Sequence, residues 1–204
     1  PFIGTGGLGF GTGACYPGPQ RPFGMVRPGP DTMLEDGAAS FVHFGGYYYP
    51  DDMIHGFSHI RAHGIGISDY GVLAMMPTDG MTAGRTTREG HRSFFSHESE
   101  EASPGYYAVT LDDTNIDVEL TATDRVAVHR YTFPEPADPV VLFDVAHVAN
   151  DVTIDEGSIE VDPDAQEMWG RVHFEGVYSN RHGGIEAFFV ARFDQPFAEH
   201  GVWL

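Results

Sequence analysis

Residues 106–120 read YYAVTLDDTNIDVEL, and this stretch decides the fold. Tyr107, Val109 and Leu111 alternate with small or polar neighbours, and so do Val118 and Leu120. A side-chain period of two puts one face of a strand into a core and the other into solvent. Asp112-Asp113 interrupt the run as a turn between antiparallel strands would; with Asp117 they lack the spacing of a calcium-binding EF-hand loop. The alternation continues through Val126 and Val128, then Val141, Phe143 and Val145, then Met168, Val172 and Phe174. It ends with Ile185, Ala187, Phe189, Ala191 and Phe193. Breaks fall at Phe133-Pro134, Pro163-Asp164 and Gly183-Gly184. Short strands spaced about ten residues apart predict an all-β fold, an antiparallel β-sandwich or barrel.

Upstream the pattern is different. Residues 1–31 carry Gly4, Gly6, Gly7, Gly9, Gly11 and Gly13, followed by Pro17, Pro19, Pro22, Pro28 and Pro30, so no helix propagates there. Met53 to His63 is expected to hold one short helical turn, limited by Gly56 and Gly64. The 204 residues fit one domain: a loop-rich part, 1–105, and regular strands over 106–204. The apolar end Val202-Trp203-Leu204 reads as a sandwich cut before its last strands, or as a terminal strand docked in the sheet.

Composition excludes several functions. There are 30 acidic and 11 basic residues, a formal charge of −19 that repels nucleic acid. All 11 basic residues are Arg. No apolar run approaches the ~18 residues of a membrane-spanning helix. The single Cys15 excludes an intrachain disulfide and a CxxC site. The chain opens at Pro1 without Met, as expected after removal of a signal peptide or for a start inside a longer protein.

Three patterns carry candidate chemistry. Gly4, Gly6 and Gly9 form GxGxxG, but Pro17 and Pro19 forbid the helix a dinucleotide site needs. The run is either a tight backbone loop or one whose bare amides approach a polar ligand such as a sugar. His43, His55, His59 and His63 cluster, with His59 and His63 spaced H-x3-H. On a helix these imidazoles would share a face and bind a metal, with Asp69 the nearest carboxylate; the alternative is hydrogen-bonded structural histidines. Tyr47, Tyr48 and Tyr49 follow Gly45-Gly46 and suit stacking on sugar faces, or form a strand with one Tyr buried. The acidic run of Glu98, Glu100 and Glu101 reads as a solvated face.

Six segments occur in a telling order: PFIGTGG (1–7), YPGPQRPFGMVRPGPDT (16–32), GYYYPDDMIHGFSH (46–59), SDYG (68–71) with MMPTDG (75–80), SHESEEASPGYYAVTLDD (96–113) and VELTATDRVAVHRYTFPE (118–135). Together, and more loosely with FDQPFAEHGVW (193–203), they resemble the N-terminal domain of glycoside hydrolase family 92, the calcium-dependent exo-acting α-mannosidases. The resemblance implies a large super-sandwich of the galactose-mutarotase-like type, packed on a C-terminal (α/α)6 barrel with the active site between them. It implies hydrolysis of terminal α-mannosides with inversion, a Glu as acid and an Asp as base, both on the barrel. It implies a calcium ion on the mannose hydroxyls, its ligands also expected in the barrel, and a secreted or periplasmic enzyme.

Residue by residue, Gly56-Phe57-Ser58-His59, Gly64-Ile65-Gly66 and Asp69-Tyr70-Gly71 match the family's cleft-facing GFSHTH…GTG…DYG loop. Arg61 stands where the family has its second His and Ile65 where it has Thr; Leu8 and Phe10 stand in the His places of a GGHGH pattern. His43, Tyr47, His59, His63 and Asp69 are the expected substrate-binding residues, with no catalytic residue on this chain. The competing readings are a stand-alone carbohydrate-binding or interaction sandwich, and a metalloenzyme built on His55, His59 and His63. Apolar surface meant for a partner domain also predicts self-association of the isolated chain.

Overall fold

A computed structural model of the chain describes residues 2–7, 13–33 and 42–203. Twelve strands run in order: β1 (Gly29–Met33), β2 (Met53–Arg61), β3 (Tyr70–Asp79), β4 (Ser93–Phe94), β5 (Glu101–Ser103), β6 (Tyr106–Leu111), β7 (Ile116–Ala122), β8 (Ala127–Thr132), β9 (Pro139–Val148), β10 (Thr153–Asp162), β11 (Glu167–Glu175) and β12 (Ile185–Arg192). They form three antiparallel sheets. One has the order β1-β2-β3-β9 with β4 beside β2; the others are the meanders β5-β6-β7-β8 and β10-β11-β12. Among the described residues helix is confined to short turns at Ala83–Thr86, Arg88–His91 and Ser179–His182. Among the described residues no helix is long and apolar enough to cross a membrane.

Two cores lie against the first sheet. Ile54, Phe57 and Met76 pack with Phe95, Tyr107, Val109, Leu111, Ile116, Val118 and Leu120, joining it to the β5–β8 meander. The alternating apolar residues of 106–120 are these core side chains, each burial worth roughly 1.5–3 kcal/mol. Val72 and Leu73 pack with Val152, Val172 and Phe174, joining the first sheet to the β10–β12 meander. Strand β9 serves both cores, Leu142 facing the first while Phe143 and Val145 face the second. The first sheet is therefore the middle layer, and β3 is buried along nearly its whole length, as expected of a strand covered on both faces.

A bulge in β3 sets which of its residues face which core. Pairing with β9 slips between Val72 and Ala74, and Leu73 takes φ 61°. The consecutive residues Val72 and Leu73 thereby enter the same core, which a regular strand forbids.

Three expectations need correction. Residues 53–61 are a strand, not a helical turn. Val126 and Val128 face solvent; on β8 the inward positions belong to His129 and Tyr131. The loop-rich first part also supplies β1, β2 and β3, most of the middle layer.

Candidate functional site

The segment 43–51 is clamped from two sides. Thr32 N–H donates to Gly46 O at 2.8 Å, and Tyr48 N–H donates to Thr32 Oγ1 at 2.9 Å. From the glycine-rich start, Thr5 O accepts from Tyr49 N–H at 2.9 Å and Gly7 O accepts from the Tyr48 hydroxyl at 3.0 Å. Gly46 has φ 82°, and a Cβ there would run into the Asp31 carboxylate and the Arg61 guanidinium. Only glycine satisfies both conditions.

This clamp sets three tyrosines between two imidazole–carboxylate pairs. His43 Nε2 lies 2.6 Å from Asp51 Oδ2, both side chains buried. His97 Nδ1 lies 2.7 Å from Glu100 Oε2; Glu100 is fully buried while His97 stays 32% exposed. Glu100 also accepts from the hydroxyls of Tyr47, at 2.9 Å, and Tyr107, at 2.7 Å. Burial, then the Glu100 charge, pushes both phenols far above their ordinary range, so both remain donors. Tyr48 meets His43 edge-on with centroids 5.8 Å apart, and Tyr49 stacks on His97 at 4.1 Å and 9°. Asp51 Oδ1 is buried and has no hydrogen-bond partner among the described residues. Glu100 therefore is not part of a solvated acidic face: three donors draw it inside.

Beneath lies a second buried polar group. Asp31 pairs with Arg61 and accepts from His147 Nε2 at 2.7 Å. Arg61 also donates to Gly45 O at 2.6 Å and to Gly29 O, and its guanidinium lies 4.8 Å over the Tyr16 ring. His147 stacks on His55 at 5.0 Å. Burial, then His147, holds His55 well below its ordinary value, so it stays neutral. The Arg that replaces the family's second His is thus a structural cation that carries the 45–46 turn.

The structure brings His43 and Tyr47 together and places the other expected residues elsewhere. His59 on β2 donates from Nδ1 to Leu73 O at 2.5 Å and faces His129 Nε2 at 2.9 Å; His129 Nδ1 accepts from the Tyr131 hydroxyl at 2.7 Å. This fixes the tautomers, His129 donating to His59, and ties the middle layer to β8. His63 is half-buried edge-on to Tyr16 at 5.4 Å, its Nδ1 without a partner, and burial lowers its pKa. Asp69 is buried and accepts from Tyr178 N–H, Ser179 N–H and Ser179 Oγ–H at 2.8–2.9 Å, pinning 68–71 to the turn after β11. His43, Tyr47, His59 and Asp69 each have polar atoms engaged within the chain, which fits a positioning role better than direct sugar contact.

The metal reading of the histidines rested on a helix. On a strand His55 and His59 sit ~13 Å apart along the chain. Among the described residues no group of three His, Cys, Asp or Glu converges. Leu8 and Phe10 lie outside the described residues. The residues that sequence reasoning missed are Asp51, His97 and Glu100; the one available signal was a His three residues before a Glu in SHESE, beside a PGYY pair.

The family model described as the glycosyl hydrolase family 92 N-terminal domain matches residues 1–204. No curated protein matches the chain. Among solved structures, a family GH92 α-mannosidase from Bacteroides thetaiotaomicron in complex with mannoimidazole is 29% identical with a TM-score of 0.83, covering 97% of this chain and 25% of that one. The GH92 family glycosyl hydrolase ccman5 is 29% identical with a TM-score of 0.78, covering 96% and 26%. A family GH92 inverting mannosidase from B. thetaiotaomicron is 26% identical with a TM-score of 0.57, covering 78% and 21%. The chain spans about a quarter of the length of the first of these structures. A match along the whole sequence, carried by a three-layer β fold with the same shape, makes this chain a member of glycosyl hydrolase family 92, as its N-terminal domain.

Proposed function

We propose that this domain supplies one side of the saccharide cleft of a larger, secreted or periplasmic glycosidase that removes terminal α-linked mannose with inversion. The observation that carries the reading is the full-length match to the family's N-terminal domain at a quarter of the length of a mannoimidazole-bound relative. An inverting hydrolysis needs two carboxyl groups ~6.5–9.5 Å apart across the scissile bond, one to protonate the leaving oxygen and one to activate water. The buried carboxylates of this chain face other work. Asp31 pairs with Arg61 and His147, Asp51 with His43, Asp69 with backbone amides, and Glu100 with two tyrosines and His97. Membership in the family supports an acid and a base on a C-terminal (α/α)6 part, which would also hold the calcium that engages mannose hydroxyls. The part played here is to bind, orient and exclude water: His43 and Tyr47 brace the 43–51 segment, His59 and Asp69 hold neighbouring strands and loops, and His63 keeps a nitrogen free.

The test is the polypeptide that carries this domain, assayed on α-mannobioses by proton NMR. β-Mannose should appear first and mutarotate later. First appearance of α-mannose, or cleavage of other glycosides only, would overturn the reading. The isolated chain is expected to release no mannose.

A further inference from the structure

His97 is an exposed histidine that three neighbours hold still. Its Nδ1–H donates to Glu100, its face stacks on Tyr49, and Phe95 meets it edge-on at 5.2 Å and 89°. Glu100 is in turn fixed by the Tyr47 and Tyr107 hydroxyls, so the tautomer and orientation of the ring are set from inside the molecule. With Nδ1 so used, Nε2 of the neutral ring carries the lone pair and has no partner among the described residues. Tyr49 beside it is 41% exposed, and its hydroxyl has no partner among the described residues. Phe2 packs against the Tyr49 ring edge-on at 5.6 Å. A Cβ at Gly6 would lie 3.1 Å from Tyr49 Cβ, so the missing side chain leaves that flank close and open.

We infer that the Tyr49–His97 pair is a preorganised subsite that reads the hydroxyls of a neutral saccharide. An imidazole acceptor and a phenol hydroxyl on two rings stacked 4.1 Å apart offer one acceptor and one donor-acceptor to adjacent hydroxyls, with aromatic edges for the C–H faces. Other ligand classes fit less well. The chain's charge of −19 opposes an anion, and a single imidazole without two further ligands does not hold a metal. A rigid donor–acceptor pair loses little freedom on binding, which is the physical gain from bracing a surface ring on three sides. The inference rests on the mannosidase reading for its sugar. It places His97 and Tyr49, rather than the five residues expected from the sequence, in direct contact with a glycan unit.

The test is a titration of the 204-residue chain, labelled in its histidine rings, with α-1,2-mannobiose and, separately, maltose, followed by NMR. Mannobiose should move the His97 Nε2 resonance, and His97→Ala should weaken binding about tenfold, Tyr49→Phe about threefold, the range expected for one lost hydrogen bond. His97→Gln, which keeps an acceptor, should recover part of the affinity, and unchanged amide spectra should show each variant folded. If mannobiose binds without moving His97, or His97→Ala binds as tightly as the parent, the subsite is overturned while the mannosidase reading stands. If maltose moves His97 as strongly as mannobiose, the subsite stands and the mannose reading loses its support. Absence of binding by either sugar overturns the subsite.

Discussion

Arg61 and Arg171 do the same arithmetic in different media. Arg61 sits in the middle layer, buried with Asp31 and two backbone carbonyls. Arg171 sits on the outer face of β11 and spans Glu156 at 2.8 Å and Glu186 at 2.6 Å, with all three side chains well exposed. The imidazole–carboxylate pairs repeat the contrast: His43–Asp51 is buried, whereas His173–Asp155, also at 2.6 Å, is on the surface. Inside, each charge depends on its partner because water is absent; outside, water and salt screen both. The pairs that position the candidate site are therefore also the ones the fold depends on.

The contrast is sharpest for a deletion at its core. Asp31→Ala leaves Arg61 buried without its counter-charge and should cost about 3–5 kcal/mol in urea unfolding. A loss under about 1 kcal/mol would show that water reaches the pair. Next, Tyr107→Phe removes one of the donors to Glu100 and should cost about 1–2 kcal/mol while leaving the far-ultraviolet spectrum unchanged.

Acid should separate the regions in sign. Burial holds His55, His59 and His129 below the ordinary value of 6.5 in the folded chain, so the unfolded chain binds protons that the folded one refuses. Their contribution is fully present above about pH 6.5 and is lost as the pH falls below it. His173 is raised by its hydrogen bond to Asp155 and behaves oppositely, its small contribution present below pH 6.5 and lost as the pH rises. Urea midpoints measured from pH 7.5 to 5 should therefore fall; a flat series would mean the imidazoles open to solvent. At the small end, Arg171→Ala should change stability by no more than about 1 kcal/mol, less in high salt. The outer sheet also exposes Phe188 at 73% and Val190 at 65% beside Trp169, so self-association of the isolated chain should weaken in Phe188→Ser, as sedimentation velocity would report.

The same contrast explains what could be read from residues alone. The β6–β7 and β10–β12 meanders keep one face in solvent, so their apolar residues alternate and the strands are visible. Strand β2 lies in the middle layer and carries His55, Ser58, His59 and Arg61 inward among partners from distant segments; no alternation survives, and Gly56 resembles a helix stop. The register of β8 came out inverted because its inward side chains are His129 and Tyr131, which a count of aliphatic residues passes over. His43 is singled out by the histidine cluster and Tyr47 by its glycine and tyrosine neighbours, both with the family resemblance. Asp51, His97 and Glu100 were not, since Glu100 gains its burial from Tyr47, 53 residues away, and a run of acids looks solvated.

Strand β3, bulged at Leu73, gives the molecule a spine between two interiors. Damage on either side reaches β3 and its neighbour β9, which both interiors share, so the layers are bound to melt together. Backbone amides of β3 should be the last to exchange with deuterium, and a cavity cut beneath Phe174 should hasten exchange around Met76 almost as much as around Val72.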